Sequence, residues 1–148
     1  MFEILLWLSF AANSIMTGLV LFVHFVHYPA FKFVPIDRAK EFHNFHTART
    51  GYIVIIPMLM ELFSGLLMIF FAPTISTMVI SIMLGLLVLL IWYETFFRVI
   101  PIHEKIASEG VNCNSIVTKL VEANRVRTNY WVLRFILLTY LVFVLIII

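Results

Sequence analysis

Four of the five histidines of this 148-residue chain fall in one stretch, as the pairs His24/His27 and His43/His46, each a His-x-x-His. On a helix this spacing sets two imidazoles on adjacent turns of one face, where both can reach one metal ion. With Glu61 or Glu94 added, the result is a mixed histidine–carboxylate set suited to iron, copper or zinc. One histidine from each of two helices could instead ligate a haem. A third chemistry needs no cofactor: a neutral imidazole is the commonest general base, and Glu61 is a second acid or proton acceptor. His24, His46 and Glu61 are the strongest catalytic candidates, and His24, His27, His43 and His46 form the potential metal set. His43 and His103 would sit at the mouth of such a site. The plainer reading is a set of amphipathic rings at a membrane surface, since His-x-x-His alone is a weak motif.

The elements that must position these residues follow from composition. The chain is 63% hydrophobic and 12% charged, against about 25% charged in a soluble domain. Too little charge is present to cover a water-facing surface, so the expected class is all-α and polytopic: a four-transmembrane-helix bundle forming one domain over residues 1–148. A span needs roughly 20 apolar residues. The runs at about 4–27, 50–71, 76–99 and 130–148 meet that requirement, with Pro29 and Pro101 read as stops for the first and third. The N-terminal run lacks a basic flank and reads as a retained span rather than a cleaved signal. A formal net charge of +2 is too small to suggest nucleic-acid binding. The single cysteine, Cys113, has no partner for an internal disulfide.

Lysine and arginine concentrate between the first and second runs (Lys32, Arg38, Lys40, Arg49) and between the third and fourth (Arg98, Lys105, Lys119, Arg125, Arg127). The positive-inside rule then places both long loops in the cytoplasm and both termini on the other side, in an inner membrane. Asp37 reads as the cap of a helix running into the second span. Residues 102–109 read as a short helix closed by Gly110, and Asn114 or Ser115 as the cap of a long fourth helix. From Ser115 onward no Pro or Gly interrupts that helix, which would be about 50 Å long and project into the cytoplasm.

Polar residues recur at helical spacing on three of the four helices. Asn13, Thr17, His24 and His27 share a face of the first; His43, His46, Thr50, Pro57, Glu61 and Ser64 share one of the second; Asn124, Arg127, Trp131 and Arg134 share one of the fourth. Ionisable groups facing lipid are costly, so these stripes should face one another. Glu61 falls near the bilayer centre. Glu94 and Arg134 have similar expected depths and read as an ion pair between the third and fourth spans. Arg134 could equally serve as a donor fork for a ligand oxygen. Trp92, Tyr93 and Trp131 are candidate aromatic walls.

Several of these pieces together resemble a small four-helix membrane family that includes the fungal anthrone oxygenases. They are Tyr28-Pro29, Phe42-His43-x-x-His46-x-x-Arg49, Pro57-x-x-x-Glu61, Pro101-x-His103 and Asn124-x-x-Arg127-Thr128-x-x-Trp131-x-x-Arg134. The resemblance implies a cofactor-independent oxygenation, in which a histidine deprotonates an anthrone-like substrate and the carbanion reacts with dioxygen. The expected function is therefore an oxygenase or oxidoreductase acting on a hydrophobic aromatic or quinone-like molecule. His24, His46 and Glu61 would do the chemistry, and His43, His103, Asn124, Arg127, Trp131 and Arg134 would bind substrate. Two alternatives stay open: a haem- or metal-binding membrane protein with histidine ligands, and a non-catalytic lipid-binding or assembly subunit. Membrane lipids are expected partners, and the apolar faces permit a homo-oligomer.

Overall fold

A computed structural model describes residues 1–109 and 114–147, with side chains described for 1–108 and 118–145. The described residues form four helical rods and no strand. Four stretches are long and apolar enough to cross a membrane: Phe2–Phe33, Ile36–Phe70, Ile75–Ser108 and Thr118–Leu145. The protein is thus an all-α integral membrane bundle. Each rod packs against the next and the fourth closes against the first, so the rods run up and down around a square. Large apolar side chains such as Ile15, Ile56, Phe63, Leu86 and Phe143 are exposed on its outside, which suits lipid as the surrounding solvent.

The turn between the second and third rods is built by its threonines. Thr74 caps the third rod through a reciprocal box with Thr77, which satisfies two backbone donors that would otherwise face the membrane surface unpaired. The second rod begins at Ile36 after Pro35, and its first residues carry no side-chain cap. Asp37 therefore does not cap this helix; it lies inside the first turn, 3.9 Å from Arg38. Gly110 and Cys113, and the side chains of Asn114 and Ser115, lie outside what is described. The fourth helix spans Asn114–Ile147.

Pro29 and Pro101 do not end their rods. In each case a π-turn comes two residues earlier, at Val23–His27 and at Thr95–Val99, and the helix continues beyond the proline. Proline lacks an N–H and its ring clashes with the carbonyl four residues back. Those carbonyls belong to Phe25 and Phe97, inside the two π-turns. There the bonding steps from i→i+4 to i→i+5, which accommodates the missing donor. π-turns inside α-helices are frequent at functional sites. These two lie on diagonal rods, at the end of the bundle away from the described chain termini.

Three buried apolar layers run along the bundle. Leu6, Met68, Leu84 and Leu138 fill the end near the termini. Met16, Met58, Ile91 and Trp131 fill the middle. Tyr28, Phe31, Ile106 and Leu120 close the loop end. Between the first two layers lies a polar one, formed by Ser9, Asn13, Glu61, Ser64 and Arg134, all buried.

Candidate functional site

The stripes expected from spacing do turn inward. Asn13, Thr17, His43, His46, Glu61, Ser64, Asn124, Trp131 and Arg134 are all buried. They do not converge on one point, however. They divide into two polar clusters separated by the Trp131 ring.

The first cluster lies at the loop end, where the π-turns and the extension of the second rod meet. His43 Nε2 stands 2.9 Å from His103 Nδ1, and His103 Nε2 stands 3.2 Å from the Tyr28 hydroxyl. His46 Nδ1 is 3.1 Å from Thr50 Oγ1, one turn further along the same helix, which holds its ring. His27 stacks on His46 with ring centroids 4.1 Å apart. Arg127 lies over the Trp131 ring at 5.3 Å, a cation–π placement. It also donates to Asn124 Oδ1 at 2.9 Å. A nitrogen–nitrogen hydrogen bond needs one lone pair, so at most one of His43 and His103 can be an imidazolium while that bond lasts. Tyr28, His103 and His43 thus form a continuous chain through which a proton can pass.

This chain edges a cavity of about 450 Å³, within the range of small-molecule sites. Met16, Val20, Val23, Val54, Met58 and Val99 supply apolar wall. Tyr28, His43, His46, His103 and Arg127 supply the polar edge, and Trp92 and Trp131 the aromatic faces.

The second cluster lies beyond Trp131. Glu61 accepts from Asn13 Nδ2 at 2.7 Å and from Trp131 Nε1 at 2.8 Å. Arg134 Nη1 stands 3.9 Å from the same carboxylate, and Arg134 Nη2 donates to Ser9 at 2.9 Å. Both partners are essentially unexposed, at 1% and 0%. Gly65 makes room for the guanidinium: a Cβ there would stand 3.1 Å from Arg134 Nη2.

Of the expected site residues, His43, His46, His103, Arg127 and Trp131 line the cavity. His24, Glu61, Asn124 and Arg134 do not. His24 is partly buried, does not line the cavity, and packs edge-on against its neighbour Phe25. The π-turn is the reason, because more residues per turn carry positions three apart further round the helix, so His27 turns inward while His24 turns away. Arg134 pairs with Glu61 rather than with Glu94, which pairs with Arg98 one turn along its own rod at 3.1 Å. The depths explain this. Gly65 brings Arg134 level with Val88, and Val88 lies about 9 Å along the helix from Glu94. Tyr93 is exposed and packs against Phe97 on the outer surface.

Among the described residues, no three His, Cys, Asp or Glu side chains are placed to hold a metal ion. The donor geometry gives the reason. His43 and His103 direct their nitrogens at each other, and His27 and His46 are stacked face to face, which leaves no gap for an ion or a porphyrin iron between them. The expected metal set of His24, His27, His43 and His46 therefore does not form. Thr50 was expected on the inward face of the second helix; Tyr28 and Ser9 were not expected at either cluster. Ser9 lies one turn before Asn13 on the same stripe, so extending that stripe would have found it; Tyr28 reaches the cavity only because the rod continues past His27. Neither protein-family models, nor curated proteins, nor solved structures match this chain.

Proposed function

We propose that the protein oxidises a hydrophobic aromatic or quinol-like molecule in the loop-end cavity, with the Tyr28–His103–His43 chain and His46 handling the proton. The observation that carries this reading is the juxtaposition of an apolar, tryptophan-faced cavity with a relay of hydrogen-bonded neutral-capable imidazoles at one edge. An aromatic substrate would lie against Trp92 and Trp131 and point its hydroxyl or carbonyl at Tyr28 and the histidines. Loss of a proton leaves an electron-rich anion, and burial among apolar walls keeps it from bulk water. With dioxygen as co-reactant, an activated methylene would give a carbonyl and water. Arg127, over the Trp131 face and beside the cavity, would stabilise the oxyanion as charge develops.

In this reading Glu61 does not meet the substrate. It holds the Trp131 indole through Nε1 and so fixes the floor of the cavity, which makes it a positioning residue. The test is oxygen uptake by the purified protein with an anthrone-type substrate. General acid–base groups contribute roughly 10²–10⁴ in rate, so His103→Ala and His46→Ala should each lose at least about a hundredfold. Undiminished turnover in a folded His46→Ala/His103→Ala double variant would overturn the proposal.

A further inference from the structure

We propose that the cavity opens sideways to the bilayer through a slot between the second and third rods, and that its ligand is an aromatic ring system bearing an alkyl tail that lies in the slot. The inference rests on the proposed ligand-binding role of the cavity and names the class of molecule it takes.

Exposure around the cavity wall locates the opening. The lining residues from the first rod, such as Val20, Val23 and Tyr28, are buried, as is Trp131 on the fourth. The lining residues that are also exposed are Gly51 and Ile55 on the second rod and Phe96 and Glu104 on the third. A residue that both lines a cavity and reaches the surface marks the rim, and all four lie on two neighbouring rods. Gly51 sits in the middle of that rim, with no atom within 4 Å of where a Cβ would stand. The same two rods press together nearer their turn, where a Cβ on Gly85 would meet Ile69 Cδ1 at 3.2 Å. They part around Gly51 and meet again at the loop end through the His43–His103 bond.

Among the described residues, Phe31, Ile106, Leu120 and Ala123 are buried in one apolar cluster with Tyr28 at the loop end and cover the bundle axis. The slot also has a chemical gradient. Ile55 and Phe96 border it where the rods are apolar, while Thr47 and Glu104 border it nearer the loops. A ring in the cavity would present its oxygen to Tyr28 and the histidines, and a tail leaving past Ile55 and Phe96 would stay in contact with lipid.

The test compares binding of 1-naphthol and 2-dodecyl-1-naphthol to protein in lipid nanodiscs, read by tryptophan quenching. Gly51→Trp fills the slot. Gly18→Trp is the control, since Gly18 is also exposed with open space at its Cβ and does not line the cavity. A bulky side chain across the rim should weaken the tailed ligand by about tenfold or more while leaving the tail-free ring within about twofold. Gly18→Trp should behave as the wild type. Unchanged binding of the tailed ligand by folded Gly51→Trp would overturn the slot. Failure of the wild type to bind either naphthol would instead overturn the cavity reading on which it rests. If Gly51→Trp does not fold, a mid-tail diazirine on the dodecyl naphthol decides with wild-type protein. Labelling of Ile55 or Phe96, competed by excess 1-naphthol, supports the slot; labelling confined to the first and fourth rods refutes it.

Discussion

The two polar clusters sit on opposite sides of one tryptophan and are built on different terms. Around Glu61, five side chains from three rods close on one another, and Glu61 does not line the loop-end cavity. Around His103, the groups form an open chain along the edge of a cavity, which Tyr28, His43, His46 and His103 all line. A polar stripe in a membrane helix can thus end in a lock or in a site, and burial alone does not tell which. The telling feature is whether the polar atoms face one another or face a space. The same stripe of the second rod serves both ends, with His43 and His46 at the site and Glu61 at the lock.

That contrast predicts a separation of effects. The largest should appear in activity: His103→Ala breaks the relay between Tyr28 and His43 and should cut turnover by roughly 10²–10⁴. The thermal midpoint should move little, because the ring borders a cavity that can admit solvent or lipid. Next in size is the lock. Glu61→Leu leaves Arg134 as an unpaired charge in the bundle, and breaking a buried pair in this way costs about 3–5 kcal/mol. The double variant Glu61→Leu/Arg134→Met should recover most of that loss, since apolar replacement of both partners is often near neutral. Equal destabilisation by the single and double variants, in urea or thermal unfolding from lipid–detergent micelles, would show that the pair is not the lock.

Smaller effects sharpen the boundary between the clusters. Trp131→Phe keeps an aromatic floor and removes the Nε1 donor to Glu61. A hydrogen bond to a charged group is worth about 1.5–3 kcal/mol, and membrane bundles fall at the low end because alternative partners exist. Stability should therefore drop by about 1.5 kcal/mol, with a comparable loss of ligand affinity as the floor loosens. A stability loss with no change in affinity would detach the lock from the site. Smallest is Arg98→Ala, which removes the half-exposed partner of Glu94. Partly exposed pairs contribute about 0–1 kcal/mol, so neither stability nor turnover should move beyond that range.

Much of this architecture is legible in the order of residues. The four apolar runs, the short threonine-bearing turn and the inward faces carrying Asn13, His43, Glu61 and Arg134 all follow from hydropathy and a 3.6-residue period. What periodicity does not carry is a change of period. The π-turns at Val23–His27 and Thr95–Val99 rotate everything after them, which is why Tyr28, rather than His24, reaches the cavity. Proline signals were misleading for the same reason: Pro29 and Pro101 read as stops, yet a widened turn before each lets the rod continue. Depth along the helix was the other limit. Glu94 and Arg134 are both polar, of opposite charge and toward one end by residue count. Only the packing of Gly65 and Val88 around Arg134 shows that the guanidinium lies deeper, level with Glu61.

The central claim is that His43, His46 and His103 face a ligand and His24 does not. It is tested most directly by the imidazole ¹⁵N signals of selectively histidine-labelled protein in nanodiscs, followed as 1-naphthol is added. The account predicts that His43, His46 and His103 shift together and saturably while His24 stays fixed. A saturable shift of His24 equal to theirs, or no shift in any of the three while naphthol binds, would contradict it.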